Sequence, residues 1–436
     1  MKVELQSRKL VKPLDPTPDH CRKLGLSFID DLSFSNYVGV VFCYRSHERR
    51  HEINTLQKLH RLEESLSETL TLFYPLAGQY VEDGLFINCN DQGVELIQAK
   101  VDGTLDQLLQ GDVYRDLLSC LSTFPPQAAN SPLVIVQANS FDCGGLAIGL
   151  SVSHKIGDMY TMAIFMNSWA TACRSGIHDV IPPNFELPSL FPANEPAFSP
   201  MPAFPLRKKF ALARLEFSGL ALLRLKAASN ASNSRVEIAS ALICKALISI
   251  DRATKGLPRP SVFVTSINLH ERLQLKIPAN ACGNFFAHII TPFAVEKSGP
   301  TFDAILHLIG DVHRNAKSKY AAIADASELR LMVADSWRDY VSIWGREEAN
   351  LILISSWCRF PLYDSDFGWG TPDLVSKTSP PMRSVFLMDS PVDGGIDAWI
   401  TLNQDEMVLF KQDPDIVACT SKLLLPRSAP NGKTTE

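Results

Sequence analysis

Several features are missing from this chain, and each absence removes a class of function. No uncharged apolar stretch reaches the roughly 20 residues that a membrane span needs, so no membrane partner is expected. No block of Lys and Arg stands out, and 42 basic against 47 acidic residues leave a net charge of -5, so nucleic acid is not an expected partner. The ten cysteines are scattered singly with no C-x-x-C pair, the usage of reduced thiols in a cytoplasmic protein rather than of a disulfide framework or a zinc site. The start, M-K-V-E-L-Q-S-R-K-L, mixes charges where a secretory signal would be apolar, and the last residues, S-A-P-N-G-K-T-T-E, read as a frayed tail without an address. There is no G-x-S-x-G elbow, no G-x-x-x-x-G-K-[ST] phosphate loop and no H-E-x-x-H helix, which sets aside elbow-type hydrolases, phosphotransferases of that kind and zinc proteases.

What is present concentrates between 146 and 174. Leu146, Ile148, Leu150 and Val152 alternate with Ala147, Gly149, Ser151 and Ser153, a period of two that predicts a strand. One face is bulky, and the other is small enough for a backbone or a ligand to lie close. From 159 to 173 there is no charge, and Met159, Met162, Met166, Ala170 and Cys173 recur at helical spacing with apolar residues all round them, which predicts a buried helix. Between strand and helix lies the polar turn H-K-I-G-D, 154–158. A histidine beside an apolar strand is ordinarily a bonded core or loop residue, and an aspartate here ordinarily caps the helix that follows. Position favours chemistry for His154, because the C-terminal end of a strand holds an imidazole as firmly as a general base must be held. His154 and Asp158 make two metal ligands at best, so no metal is expected. Cys143 falls at the opposite end of the same strand, which disfavours a Cys–His nucleophile.

By length the chain holds two or three domains, and a hydrophobic fraction of 46% is enough for large cores. Strands are expected near the start, at 37–44, near 79–89 and at 133–141, with a helix carrying Leu56, Leu59, Leu62, Leu66, Leu70 and Phe73 on one face. Eight prolines from Pro182 to Pro205 mark 182–215 as an extended crossover between a first domain, 1–181, and a second, 216–436. The second domain reads as helices near 218–228, 236–250, 302–317 and 327–340, with strands near 262–269, 351–354, 384–388 and 396–402. Near its end Asp366, Phe367, Gly368, Trp369 and Gly370 describe a tight loop around a packed ring.

H-K-I-G-D at 154–158 followed by D-F-G-W-G at 366–370 resembles the plant BAHD family of acyl-CoA-dependent acyltransferases. L-F-Y-P-L-A-G at 72–78, F-D-C-G-G at 141–145, V-E-I-A-S-A at 236–241, G-N-F-F at 283–286 and G-G-I-D-A-W-I at 394–400 extend the likeness over nearly the whole chain. S-H-K-I-G-D and S-W-C-R-F-P-L-Y are most similar to the vinorine-synthase-like branch, which acetylates alkaloid and terpenoid alcohols. The resemblance implies an α/β monomer of two chloramphenicol-acetyltransferase-like domains, each a mixed sheet with flanking helices, and a channel between them. It implies His154 as the catalytic base, Asp158 as a structural ion-pairing residue turned away from the centre, and Asp366 paired with an arginine of the second domain, for which Arg272 is the candidate. Trp369 would help to shape the site without a chemical step. No bound cofactor is implied; acetyl-CoA or another acyl-CoA is the co-substrate and a small-molecule alcohol the acceptor. Lys245, Lys255 and Arg259 are candidates for the phosphates of CoA, beside the plainer reading of each as a solvated surface charge. The chain departs from the family at Met159, Thr371 and His270, where glycine, a basic residue and arginine are common. An aromatic acyl-CoA donor with a phenolic or shikimate-type acceptor, and a catalytically silent binding protein of the same fold, stand as alternatives.

Overall fold

A computed structural model describes residues 1–46, 54–110, 114–125, 131–193, 210–229, 232–270, 272–294, 299–344, 348–378, 382–391 and 394–420. Two six-stranded mixed sheets dominate it. The first runs, edge to edge, Val3–Val11, Val94–Val101, Val134–Phe141, Leu146–Ser153, Tyr37–Tyr44 and Leu374–Thr378. The second runs Phe286–Phe293, Ser261–Asn268, Asn350–Ser356, Ser384–Asp389, Ile396–Asn403 and Phe210–Phe217. Among the described residues no helix is long and apolar enough to cross a membrane.

The Leu146–Ser153 strand is buried at every residue and pairs antiparallel with both neighbours. Its small face lies against backbone. A Cβ on Gly149 would sit 2.1 Å from the Leu121 carbonyl oxygen, while Ser122 and Ser151 share a 2.7 Å hydrogen bond and Asn139 Nδ2 donates to Leu121 O at 2.9 Å. The following helix, Met159–Ser175, is capped by the Asp158 side chain and buries Met162, Phe165, Met166 and Trp169. Trp169 Nε1 donates to Leu62 O at 3.1 Å and so ties it to the Thr55–Leu72 helix. On that helix Leu62, Leu66 and Leu70 are fully buried, but Leu56 in the first turn lies exposed and Lys58 is buried instead, so the apolar stripe starts a turn later than the leucine spacing suggests.

Strand pairing and core packing both cross the expected division at 182–215. Leu374–Thr378, from late in the chain, forms the edge of the first sheet, and Phe28, Ile29 and Leu32 pack with Val264, Phe285 and Trp337 of the second half. Strand Phe210–Phe217, which begins within the 182–215 stretch read as linker and ends in the second domain, closes one edge of the second sheet; residues 194–209 of that stretch lie outside the described residues. Among the strands absent from the sequence reading, Val94–Val101 and Leu374–Thr378 are fixed by partners far away in the chain, Val3–Val11 and Tyr37–Tyr44, whereas Phe286–Phe293 pairs with the strand just before it, Ser261–Asn268.

Candidate active site

Each residue of H-K-I-G-D has a separate task. His154 follows the last strand residue, and its backbone N–H is bonded to Asn36 O at 2.8 Å, which holds the ring at the sheet's end. Lys155 turns the other way: its ammonium is buried and donates to Asp31 O at 2.8 Å, at the C-terminal end of helix Phe28–Leu32, where carbonyls gather and a cation is favoured. Asp158 Oδ1 accepts from Thr161 N at 3.0 Å and its Oδ2 from Phe285 N at 3.1 Å. It is therefore a helix cap that also grips the second half, and among the described residues it forms no ion pair. His270, where the family commonly has arginine, meets Asn268 Oδ1 through Nδ1 at 2.8 Å and Ala281 O through Nε2 at 3.2 Å.

G-N-F-F, 283–286, is the other side of this junction. Gly283 exchanges hydrogen bonds with the Thr161 hydroxyl, 3.0 Å from its N–H and 2.9 Å to its carbonyl. Asn284 determines how His154 is protonated. Its Nδ2 donates to His154 O at 2.6 Å and to Asp30 Oδ1 at 2.8 Å, both pure acceptors, so its Oδ1 must be the atom 2.9 Å from His154 Nδ1. An amide oxygen can only accept, so Nδ1 carries the proton and Nε2 keeps its lone pair. Asp30 is buried and takes four donors, from Ser27 N and Oγ and from Asn284 N and Nδ2. Burial raises its pKa, while those bonds pull the other way. Burial likewise pushes the His154 imidazole below its ordinary pKa, against the opposing pull of Asp158 and Asn284, so the ring is neutral at pH 7.

His154 is partly exposed to a chamber lying between the two halves, with about 1130 Å³ of empty space counting the part open to solvent. Phe34, Val38 and Met159 line it from the first half; Phe286, Tyr340 and Phe360 from the second. The chamber is thus largely apolar and aromatic. Among the polar side chains lining it that sequence reasoning missed are an imidazole and an ammonium, those of His288 and Lys377. Neither stands in a recognisable motif, and only the pairing of their strands brings them there. An imidazole with a free Nε2 in such a chamber can take a proton from a hydroxyl placed against it and return it to a leaving group.

The other expected site residues lie elsewhere. Asp366 closes its own loop, with Oδ1 accepting from Gly368 N and Gly370 N at 2.8 Å each, both glycines having positive φ. Its nearest cation is Arg174, at 3.9 Å, and not Arg272. Arg272 forms no ion pair among the described residues; burial and the charge of Arg359 lower its pKa. Trp369 stacks on Phe367 at 5.5 Å, and Phe367 meets Trp169 edge-on at 5.0 Å. This loop is packed against the buried helix and does not line the chamber. Lys245 is paired with Asp415, Arg259 holds Asp251 through Nε at 2.8 Å, and Lys255 is exposed in the last turn of helix Arg235–Lys255. None of the three lines the chamber. Among the described residues no three His, Cys, Asp or Glu side chains gather as metal ligands.

A family model described as Transferase family matches residues 1–417. The chain is 38% identical to an acetyl-CoA-benzylalcohol acetyltransferase of Clarkia breweri over 97% of its own length and 100% of that protein. To stemmadenine O-acetyltransferase of Catharanthus roseus it is 32% identical, over 94% and 96%. The crystal structure of vinorine synthase superposes with a TM-score of 0.80 at 29% identity, covering 94% of this chain and 96% of that one.

Proposed function

Because this chain belongs to the BAHD family of transferases and is an acyl-CoA-dependent acyltransferase, we propose that it moves acetyl from acetyl-CoA to a hydroxyl of a bulky, largely apolar specialised metabolite such as an alkaloid or triterpenoid alcohol. The observation that carries this reading is His154, locked by Asn284 with Nε2 free, in an aromatic chamber between the halves. Neutral His154 accepts the alcohol proton at Nε2 as the alcohol oxygen attacks the thioester carbon. The tetrahedral oxyanion then collapses, the carbon–sulfur bond breaks, and the imidazolium returns the proton to the departing thiolate. One residue serves as base and acid, and acyl passes directly between two substrates held together. Such a base contributes about 10²–10⁴-fold, the remainder coming from positioning and from donors to the oxyanion. An apolar chamber also keeps water from competing for the thioester.

A second reading has its own support: at 38% identity the Clarkia breweri enzyme, named for benzyl alcohol, makes a small aromatic alcohol a competing acceptor. Free-thiol release from acetyl-CoA with benzyl alcohol, an alkaloid alcohol and a triterpenoid alcohol, beside benzoyl-CoA as donor, separates these readings. His154→Ala is expected to lower turnover about 10²–10⁴-fold with the fold intact. Turnover surviving that substitution would overturn the mechanism, and no thiol release from any pair would favour a silent binding protein.

A further inference from the structure

Resting on the acyltransferase reading alone, and not on its choice of acetyl donor and apolar alcohol, we propose that Lys377 is a specificity residue that binds a carboxylate carried by one of the two substrates within the chamber. Lys377 lies on strand Leu374–Thr378, in register with Val40 of strand Tyr37–Tyr44. Val40 shares a face with Val38, which lines the chamber, so the lysine rises from the chamber side of the first sheet. It crosses to the second sheet, where its ammonium stands 4.7 Å from the centroid of the Phe386 ring. The residue is only 3% exposed.

Among the described residues this ammonium has no carboxylate or carbonyl partner. It appears in no ion pair, and its pKa falls to about 8 through burial alone, with no neighbouring charge contributing. It is still protonated for the most part at pH 7. Buried cations are ordinarily paired, and the face of one phenyl ring replaces only part of the hydration that an ammonium gives up. Lys155, equally buried, shows the usual solution, with a backbone carbonyl at 2.8 Å. The other polar groups of the chamber do not supply an anion: His154 and His288 are neutral, and Asp158 is engaged by two backbone amides. What remains to complete the ammonium is an anionic oxygen brought in by a substrate. Two sources present the same chemistry, the free carboxylate of a dicarboxylic acyl-CoA and the carboxylate of a hydroxy-acid acceptor.

The test compares four substrate pairs by thiol release. In the donor arm, malonyl-CoA is set against acetyl-CoA with benzyl alcohol as acceptor. In the acceptor arm, 4-(hydroxymethyl)benzoate is set against 4-(hydroxymethyl)benzamide with acetyl-CoA. In one arm the ratio of kcat/KM for the carboxylate over its neutral partner is expected to fall about ten- to a hundredfold in Lys377→Met, mostly through KM, and to be largely kept in Lys377→Arg. A purely structural lysine would change all four pairs together and leave both ratios where they were. That result, or a wild type that rejects both carboxylates while using the neutral pairs, overturns the proposal. Thiol release from the neutral pairs shows the acyltransferase reading intact, whereas no release from any pair removes both.

Discussion

At the scale of single residues, the chemistry proposed for His154 depends on a proton being on one ring nitrogen and off the other. Asn284→Ala removes the acceptor that holds the Nδ1 proton, and kcat is expected to fall about tenfold, the worth of one hydrogen bond, with the KM for acyl-CoA little changed. Steady-state kinetics on the variant checks it. The depressed pKa of His154 keeps the base form to lower pH, so the acidic limb of kcat/KM should lie below 6.5 in a pH–rate profile. His288 has a second pH signature, in stability. Both its ring nitrogens are buried without a hydrogen-bond partner among the described residues, and burial holds its pKa at about 3. Between pH 6.5 and about 3 the unfolded chain binds a proton that the folded chain refuses, so stability falls as pH falls, by about 2 kcal/mol at pH 5. Urea unfolding at pH 7 and pH 5 should show that loss in the wild type and a smaller one in His288→Gln.

At the scale of elements, the strand that carries His154 is held by what its small face admits. Gly149 lets the Leu121 carbonyl lie against the strand, and a single methyl there would meet it at 2.1 Å. Gly149→Ala is therefore expected to cost about 1–3 kcal/mol, read as a lower urea midpoint, and to lower kcat because the strand's end moves with its middle. The helix that follows shows the same economy of residues. Asp158 caps its first turn and accepts Phe285 N, so Asp158→Ala should cost about 1–2 kcal/mol in stability while leaving far more activity than His154→Ala. Comparing melting temperature and turnover in the two variants tests that separation.

At the scale of the whole molecule, the two sheets are not independent units. The first sheet takes its edge strand from 374–378, and the core around Phe28, Ile29 and Leu32 is completed by the second half. His154, the proposed base, is held by an asparagine 130 positions further along the chain. Fragments 1–193 and 210–436 expressed apart should therefore lack a cooperative thermal transition, and co-expression should recover thiol release. A sharp, independent transition in the first fragment would contradict this account of the core.

What could be read from the amino acids was whatever is local. Alternation at 146–153, the uncharged helical stretch after it and an aspartate at its start are short-range patterns, set by the geometry of strand and helix, and they located His154 and its strand, helix and cap correctly. The family, too, was legible, because its motifs are contiguous. Tertiary structure decided everything that depends on which distant strands pair. It made Asn284 the partner of His154, gave Asp366 to Arg174 rather than Arg272, committed Lys245 and Arg259 to carboxylates of their own half, and turned the plain strand residue Lys377 into a cation facing the chamber. A strand's register fixes which side chains share a face, and no run of neighbouring residues records a register set by a partner hundreds of positions away.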